Sequence, residues 1–150
     1  MALEIRQPRP EDLQRIAKLF SSVAQDGESF FHPHPMTDEW AGKICNYRGK
    51  DLYYAVFDGE QALAYGMLRG WDEGYEMPSL GIAVSSEMRG TKLGEMFMHF
   101  LHSAARRNGS HTVRLKVYAE NAAAMSLYRK LGYVFCEESE SGQFVGKIEF

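Results

Sequence analysis

Apolar residues recur along this chain at two spacings, and these spacings divide it into predicted helices and strands. The clearest helix covers residues 93–107, where apolar side chains recur three or four positions apart. Asn108-Gly109 follows it, and this pair is typical of a helix C-terminus. Residues 113–117 instead alternate between apolar and basic side chains, which is the period of a half-buried strand. The chain is therefore predicted to combine helices with strands.

The remaining elements follow from the same patterns and from their boundary residues. Helices are predicted to begin near Pro10 and at Thr37 or Asp38, and a short helix is predicted between Asn121 and Gly132. Further strands are predicted at residues 3–6, 51–57, 61–71, 75–84, 133–137 and 143–150. The order β-α-α-β-β-β-α-β-α-β-β predicts one mixed α/β domain over residues 1–150, built on a central sheet.

Composition and charge argue against several classes of function. Hydrophobic residues make up 45% of the 150 residues and charged residues 25%, which is typical of a globular domain. The net charge of −3 provides no basic excess for a nucleic acid, and no stretch approaches the roughly 18 apolar residues of a membrane-spanning helix. Cys45 and Cys136 show no metal-ligand spacing. We therefore expect a cytoplasmic protein with no metal, no nucleic-acid partner and no membrane partner.

Residues 80–133 carry the pattern with the most chemical information. A predicted strand is followed by a tight loop that opens a predicted helix, Arg89-Gly90-Thr91-Lys92-Leu93-Gly94. Such a loop offers unpaired main-chain N–H groups at the positive end of a helix dipole, and this combination binds phosphate. Tyr128, one strand and one helical turn further on, could donate a proton. Together they predict a phosphate-bearing cofactor and a leaving group that needs a proton.

The order of elements and two motifs resemble those of the GCN5-related N-acetyltransferases, the GNAT superfamily. In that family the loop reads Arg or Gln, two residues, Gly, one residue, then Gly or Ala, and Arg89 and Gly94 match its ends. Lys92 stands where the family usually has glycine. A negative φ at residue 92 would tolerate lysine, whereas a positive φ would make the loop depart from the family pattern. The second motif, Asn-x6-Tyr-x3-Gly-Tyr, runs from Asn121 to Tyr133.

The resemblance implies a fold, a cofactor and a set of residues that bind the cofactor. The fold is a mixed, mostly antiparallel central sheet with splayed middle strands and about four flanking helices. The cofactor is acetyl-CoA, as the acyl donor. Loop N–H groups would hold its pyrophosphate, the preceding strand would pair with its pantetheine, and an asparagine would lie near that arm. The corresponding residues here are Ile82, Ala83, Val84, Arg89, Gly90, Thr91, Lys92, Leu93, Gly94, Asn121 and Tyr128.

Two residues are predicted to move protons. Tyr128 matches the family's usual acid, directed at the CoA sulfur. The acceptor amine must lose a proton, and Glu76 is the candidate base because its predicted strand borders the acceptor, with Glu73 in reserve. Each residue has a structural alternative: Tyr128 as a core tyrosine, Asn121 as a helix cap and Glu76 as a solvent-facing residue. His102 lies on the predicted polar face of its helix and is expected at the surface.

The acceptor site is predicted between the early helices and the sheet. Aromatic and titratable residues cluster there, and the candidate substrate-binding residues are Phe30, Phe31, His32 and Trp40. The alternative is a loop held over the core by its aromatic side chains. A small-molecule primary amine is the expected acceptor, because the long loop at 25–37 suggests a compact substrate. A protein or peptide amine and a non-catalytic acyl-CoA-binding module remain alternatives, and a homodimer stays open.

Overall fold

The structure is a computed structural model that describes residues 2–27, 33–138 and 142–150. Its elements follow the predicted order. The helices are α1 (Leu13–Gly27), α2 (Asp38–Cys45), α3 (Leu93–Arg107) and α4 (Ala122–Leu131). The strands are β1 (Glu4–Arg6), β2 (Leu52–Asp58), β3 (Gln61–Arg69), β4 (Ser79–Val84), β5 (Thr112–Tyr118), β6 (Val134–Glu138) and β7 (Gln143–Glu149). The predicted fold class is confirmed.

The strands form one mostly antiparallel sheet in the order β1-β2-β3-β4-β5-β7-β6. Strands β3 and β4 pair along the whole of β4, from Ser79 to Val84. The parallel neighbours β4 and β5 pair at one position only, Ser79 opposite Arg114, where Arg114 N–H also donates to Pro78 O at 3.0 Å. The sheet therefore opens between β4 and β5 beyond Ser79, and this opening confirms the expected splay of the middle strands.

Helices cover both faces of the sheet, and each face has its own apolar core. Helices α3 and α4 pack on one face, where Leu68 and Phe97 are completely buried. Helices α1 and α2 pack on the other face, where Phe20 and Tyr65 are completely buried. Each such aromatic side chain contributes about 1.5–3 kcal/mol through burial. Helix α3 approaches β3 so closely that a Cβ at Gly66 would lie 2.7 Å from Leu101 Cδ1.

The segment between β3 and β4 differs from its prediction. Strand β3 ends at Arg69 and β4 begins at Ser79, so residues 70–71 and 75–78 are not extended strand. Asp51 is the reason, because its Oδ1 accepts the N–H groups of Gly70, Trp71 and Asp72 at 3.0, 2.9 and 3.2 Å. These three N–H groups could otherwise extend the hydrogen bonding between β3 and β4, but they donate to the carboxylate of Asp51 instead. Glu76 therefore lies before β4, and its predicted position on a strand is wrong.

The position of His102 also differs from its prediction. Its side chain is 7% exposed, and its Nε2 lies 2.7 Å from the hydroxyl of Tyr133, which links α3 to the start of β6. Burial lowers the pKa of His102 to about 4, so the imidazole is neutral at pH 7. The apolar face of α3 is thus wider than its spacing indicated. Of the helices in the described ranges, none is long and apolar enough to cross a membrane.

Candidate active site

A cavity of about 1030 Å³ occupies the opening between β4 and β5. All six residues of β4 line it, from Ser79 to Val84, so the predicted pantetheine-binding residues Ile82, Ala83 and Val84 lie along its wall. The opposite wall comes from β5 and from α4 with its cap. The cavity therefore lies where the sheet lacks hydrogen bonds between its two middle strands, and a ligand there can pair with free strand edges.

Small residues shape the side of the cavity that faces α1 and α2. Ser79, Gly81 and Ala83 alternate along β4 and place little or no side chain on that face. A Cβ at Gly81 would lie 3.0 Å from Pro33 Cγ and 3.1 Å from Met67 Cε. Any larger residue at position 81 would therefore press on the cavity wall. The sequence leaves this space open for a ligand.

The loop predicted to bind phosphate lies between β4 and α3. Arg89 lines the cavity, and Gly90 and Lys92 both have a positive φ, 76° and 65°. The main-chain bond from Met96 N–H to Lys92 O, at 3.1 Å, opens the helical ladder. The N–H groups of the first turn of α3, starting at Leu93 and Gly94, therefore have no acceptor within the helix and carry the positive end of its dipole.

Thr91 differs from the other loop residues. Its N–H donates to Met88 O at 3.3 Å, and its hydroxyl donates to the same oxygen at 2.6 Å. Both groups therefore close the turn and are already engaged. Within the predicted set, the main-chain N–H groups of Gly90 and of Lys92 to Gly94 have no described acceptor and remain able to donate to a ligand.

Lys92 is the one non-glycine residue of the described ranges with a positive φ. It occupies the N-cap of α3 at φ 65° and ψ 16°, and its side chain makes no capping hydrogen bond. The left-handed conformation costs an L-residue with a Cβ about 1–2 kcal/mol. The alternative of a negative φ at this position is therefore wrong. By that condition the loop departs from the family pattern at residue 92, where it carries lysine in a left-handed conformation that favours glycine.

Tyr128 lies on α4 and lines the cavity while belonging to the core of the α3–α4 face. Its side chain is 9% exposed, and burial raises its pKa to about 12. The phenol is therefore protonated at neutral pH and can donate. Tyr128 is thus a packed core tyrosine that also lines the cavity, and its role as an acid stays a prediction.

Asn121 caps α4 and also lines the cavity. Its side-chain oxygen accepts the N–H of Ala124 at 3.4 Å and so caps α4, as predicted. The same residue lines the cavity. The cap holds the N-terminus of α4, and with it Tyr128, in a fixed position beside the opening.

Both candidate bases line the cavity. Glu73 ends the 3-10 turn Trp71–Glu73, and Glu76 follows it in an exposed bend. Neither carboxylate has a described hydrogen bond of its side chain, whereas Glu76 O accepts a hydrogen bond from Ser110 Oγ at 3.3 Å. Two solvent-exposed carboxylates at one end of the cavity can accept protons from a bound molecule directly or through water.

The predicted acceptor residues are only partly described. Phe30, Phe31 and His32 lie outside the described residues. Trp40 is half-buried on α2, where its ring stacks on His34 with 4.4 Å between ring centroids. Trp40 does not line the cavity. Arg69 does line it, and the guanidinium of Arg69 lies 5.8 Å from the centre of the Trp40 ring. Trp40 is thus placed behind the cavity wall.

Two arginines on the cavity wall were missed by sequence reasoning. Arg69 ends β3 and Arg114 lies on β5, and the register places both beside Ser79. Both line the cavity. The alternation over residues 113–117 indicates only that Arg114 belongs to the polar face of a half-buried strand. Only the pairing register, which the sequence does not display, brings these two distant residues together.

Comparison with known proteins provides evidence on the family of this chain that does not depend on the geometry of the cavity. A family model described as Acetyltransferase (GNAT) family matches residues 15–133. The uncharacterized N-acetyltransferase YobR of Bacillus subtilis (strain 168) is 36% identical over 81 residues, which cover 54% of this chain and 32% of YobR. The chain thus aligns with about one third of the length of that curated relative.

Solved structures share the fold over the whole chain. The PaiA N-acetyltransferase of Thermoplasma acidophilum, in complex with coenzyme A, matches 100% of both chains with a TM-score of 0.80 at 17% identity. The yncA protein of Salmonella typhimurium, with its cofactor acetyl-CoA, matches 99% of this chain and 94% of its own with a TM-score of 0.79 at 15% identity. At these identities the likeness concerns the fold.

Proposed function

This chain belongs to the GNAT family of acetyltransferases, and we propose that it moves the acetyl group of acetyl-CoA to the primary amine of a small molecule. One observation carries the proposal. The opening between β4 and β5 forms a cavity that has Arg89 of the helix-opening loop in its wall and the protonated phenol of Tyr128 beside it. The acyl donor supplies an activated thioester, and the following roles belong to the chain.

Cofactor binding is assigned to main-chain groups. The first N–H groups of α3, with the helix dipole behind them, suit a diphosphate. Arg89 adds a cation at the cavity edge, and the free edge of β4 at Ile82–Val84 suits an amide-bearing arm that pairs as a strand would. The complexes of the PaiA and yncA proteins with coenzyme A and acetyl-CoA support the same donor for this chain.

Proton transfer is assigned to side chains. Tyr128 Oη donates a proton to the departing sulfur, since its raised pKa keeps it protonated. Glu76 accepts the proton of the attacking amine, directly or through one water molecule, and Glu73 is the second candidate. The exposure of both carboxylates favours transfer through water.

A small acceptor is favoured by the form of the cavity. Its volume of about 1030 Å³ is that of a site for a cofactor arm with a small molecule. Residues of the turn at 70–76 line one end of it, whereas a peptide would need a groove that continues past that turn. Acetylation of a protein amine and acyl-CoA binding without turnover are the two alternatives.

A thiol-release assay with acetyl-CoA across an amine library, followed by product mass, tests the proposal. We expect thiol release that depends on one class of small amine and a product heavier by one acetyl group. Turnover limited to peptides would favour the protein-acetylating alternative. Coenzyme binding without turnover of any amine would favour the binding module.

A further inference from the structure

A row of three residues crosses the sheet at the base of the opening. The register places Arg69 of β3 opposite Ser79 of β4, and Ser79 opposite Arg114 of β5. Residues that face each other across neighbouring strands point to the same side of a sheet. Ser79 lies on the same side as Gly81 and Ala83, which is the side of α1 and α2. Both arginines therefore flank a small residue on the acceptor side of the cavity.

The spacing of this row suits one shared anion. Neighbouring strands lie about 4.8 Å apart, so the Cα atoms of the two arginines are about 10 Å apart with only Ser79 between them. An arginine side chain is long enough for both guanidinium groups to reach a group placed above the serine. Each guanidinium presents a planar fork of donors that matches the oxygens of a carboxylate or phosphate.

The donors of these arginines are incompletely used within the described part of the chain. Arg114 Nε is buried and has no hydrogen-bond partner there. Arg69 donates through Nη1 to Pro33 O at 3.0 Å, which holds its side chain against the cavity wall. A buried guanidinium nitrogen without an acceptor is rare, because it loses its hydration without compensation. Nε is itself shielded from solvent, so a ligand's acceptor atoms would meet the terminal Nη groups of Arg114, for which no hydrogen bond is described.

The charge of the cavity supports the same conclusion. Four basic and two acidic side chains line it in the described ranges, although the chain as a whole has a net charge of −3. Arg89 lies at the loop assigned to the diphosphate. The other three basic residues lie on strands: Arg69 on β3, and Arg114 and Lys116 on β5. The two acidic residues, Glu73 and Glu76, lie in the turn between β3 and β4. The acceptor end thus offers separate places for an anion and for an amine.

We propose that Arg69 and Arg114 bind an oxyanion group of the acceptor and thereby select small amines that carry a carboxylate or a phosphonate. This inference rests on the proposed function, because it assigns the acceptor of that same site. The anion binds above Ser79, and the amine extends toward the carboxylates of Glu73 and Glu76. An amine of the same skeleton without the anionic group would leave the guanidinium groups unpaired.

The test compares matched pairs of amines with the whole chain and acetyl-CoA. One set pairs amino acids with the amines that lack their carboxylate, and a second set replaces the carboxylate with phosphonate. We expect the wild-type kcat/KM to favour the anionic member by about 10- to 100-fold, the range for a hydrogen-bonded charge. Comparison of the two sets shows which oxyanion fits.

Variants assign this preference to the arginine row. Arg114→Gln should raise the KM for the anionic amine by about 10-fold or more and leave the neutral amine within about threefold. Arg114→Lys keeps the positive charge but lacks the planar fork of donors, so it should give an intermediate KM for the anionic amine. It also replaces the glutamine variant in this test if that variant folds poorly. Lys147→Gln is the matched control, since Lys147 faces Arg114 from β7 but is exposed and outside the cavity lining.

The outcomes separate this inference from the function on which it rests. Equal or better use of neutral amines, or an equal loss for both amines in Arg114→Gln, would overturn the inference and leave acetyl transfer standing. Binding of acetyl-CoA without turnover of either amine class would overturn it as well. A failure to bind acetyl-CoA, measured by calorimetry on the same preparation, would remove the proposed function and the inference together.

Discussion

The two ends of the cavity are built by different means. At the proposed cofactor end, Ile82–Val84, Arg89, Asn121 and Tyr128 line the cavity, and the groups assigned to the cofactor are main-chain N–H groups at the start of α3 and the free edge of β4. At the proposed acceptor end, defined by residues 69–79 with Arg114, the assigned groups are charged side chains on a turn and two strands. The first end depends on backbone conformation and the second on side-chain identity, so substitutions should affect them differently.

Tyr128 is the test with the largest expected effect, because it is a side chain that acts within the main-chain end. Tyr128→Phe should lower kcat by about 10²- to 10⁴-fold, the range for a positioned general acid, with the affinity for acetyl-CoA unchanged. Steady-state kinetics and calorimetry measure the two quantities. Tyr54→Phe is the control, because Tyr54 packs on Phe100 away from the cavity lining. A phenylalanine variant with wild-type kcat would restrict Tyr128 to packing.

Substitution of Asp51 should have a smaller effect on activity, confined to binding of the amine at the acceptor end. Asp51→Ala removes the acceptor of three main-chain N–H groups and should lower the free energy of unfolding by about 2 kcal/mol. The loosened turn should raise the KM of the amine and leave acetyl-CoA affinity unchanged. Denaturant unfolding and kinetics measure both.

Asp51→Asn is the matched control for this test. It keeps an oxygen in the same place and should lie between wild type and alanine in stability and in KM. If Asp51→Ala weakened acetyl-CoA binding as much as it weakened amine binding, the two ends would not be independent.

Substitution of Lys92 should have the smallest effect of the three, and it tests the role of main-chain groups at the cofactor end. Lys92→Gly should raise the free energy of unfolding by about 0.5–1 kcal/mol, because glycine adopts φ 65° without the cost of a Cβ. The melting temperature should rise by about 2–4 °C or less. Acetyl-CoA affinity should change little, since the backbone is the binding group. A large loss of affinity would show instead that the lysine ammonium contacts the phosphates.

The same division explains what the sequence could predict. The cofactor end consists of two contiguous motifs, so its elements and its cap at Asn121 could be inferred from local spacing, whereas the place of Tyr128 beside the cofactor came from the resemblance to the GNAT family. Glu76 was placed on a strand because nothing near it in sequence shows that Asp51 holds the preceding turn. Arg69 and Arg114 are 45 positions apart, and only the register of three strands joins them. The positive φ of Lys92 could not be predicted, because lysine disfavours that conformation and its residue type therefore points the other way.

Calorimetric titration with coenzyme A and, separately, with pantetheine tests the central claim most directly. The claim is that main-chain N–H groups at the start of α3 hold the diphosphate of a coenzyme thioester. We predict one coenzyme A bound per chain with a Kd below about 1 mM, and much weaker binding of pantetheine, which lacks the diphosphate. Equal binding of the two compounds, or no binding of coenzyme A to the folded protein, would contradict the account.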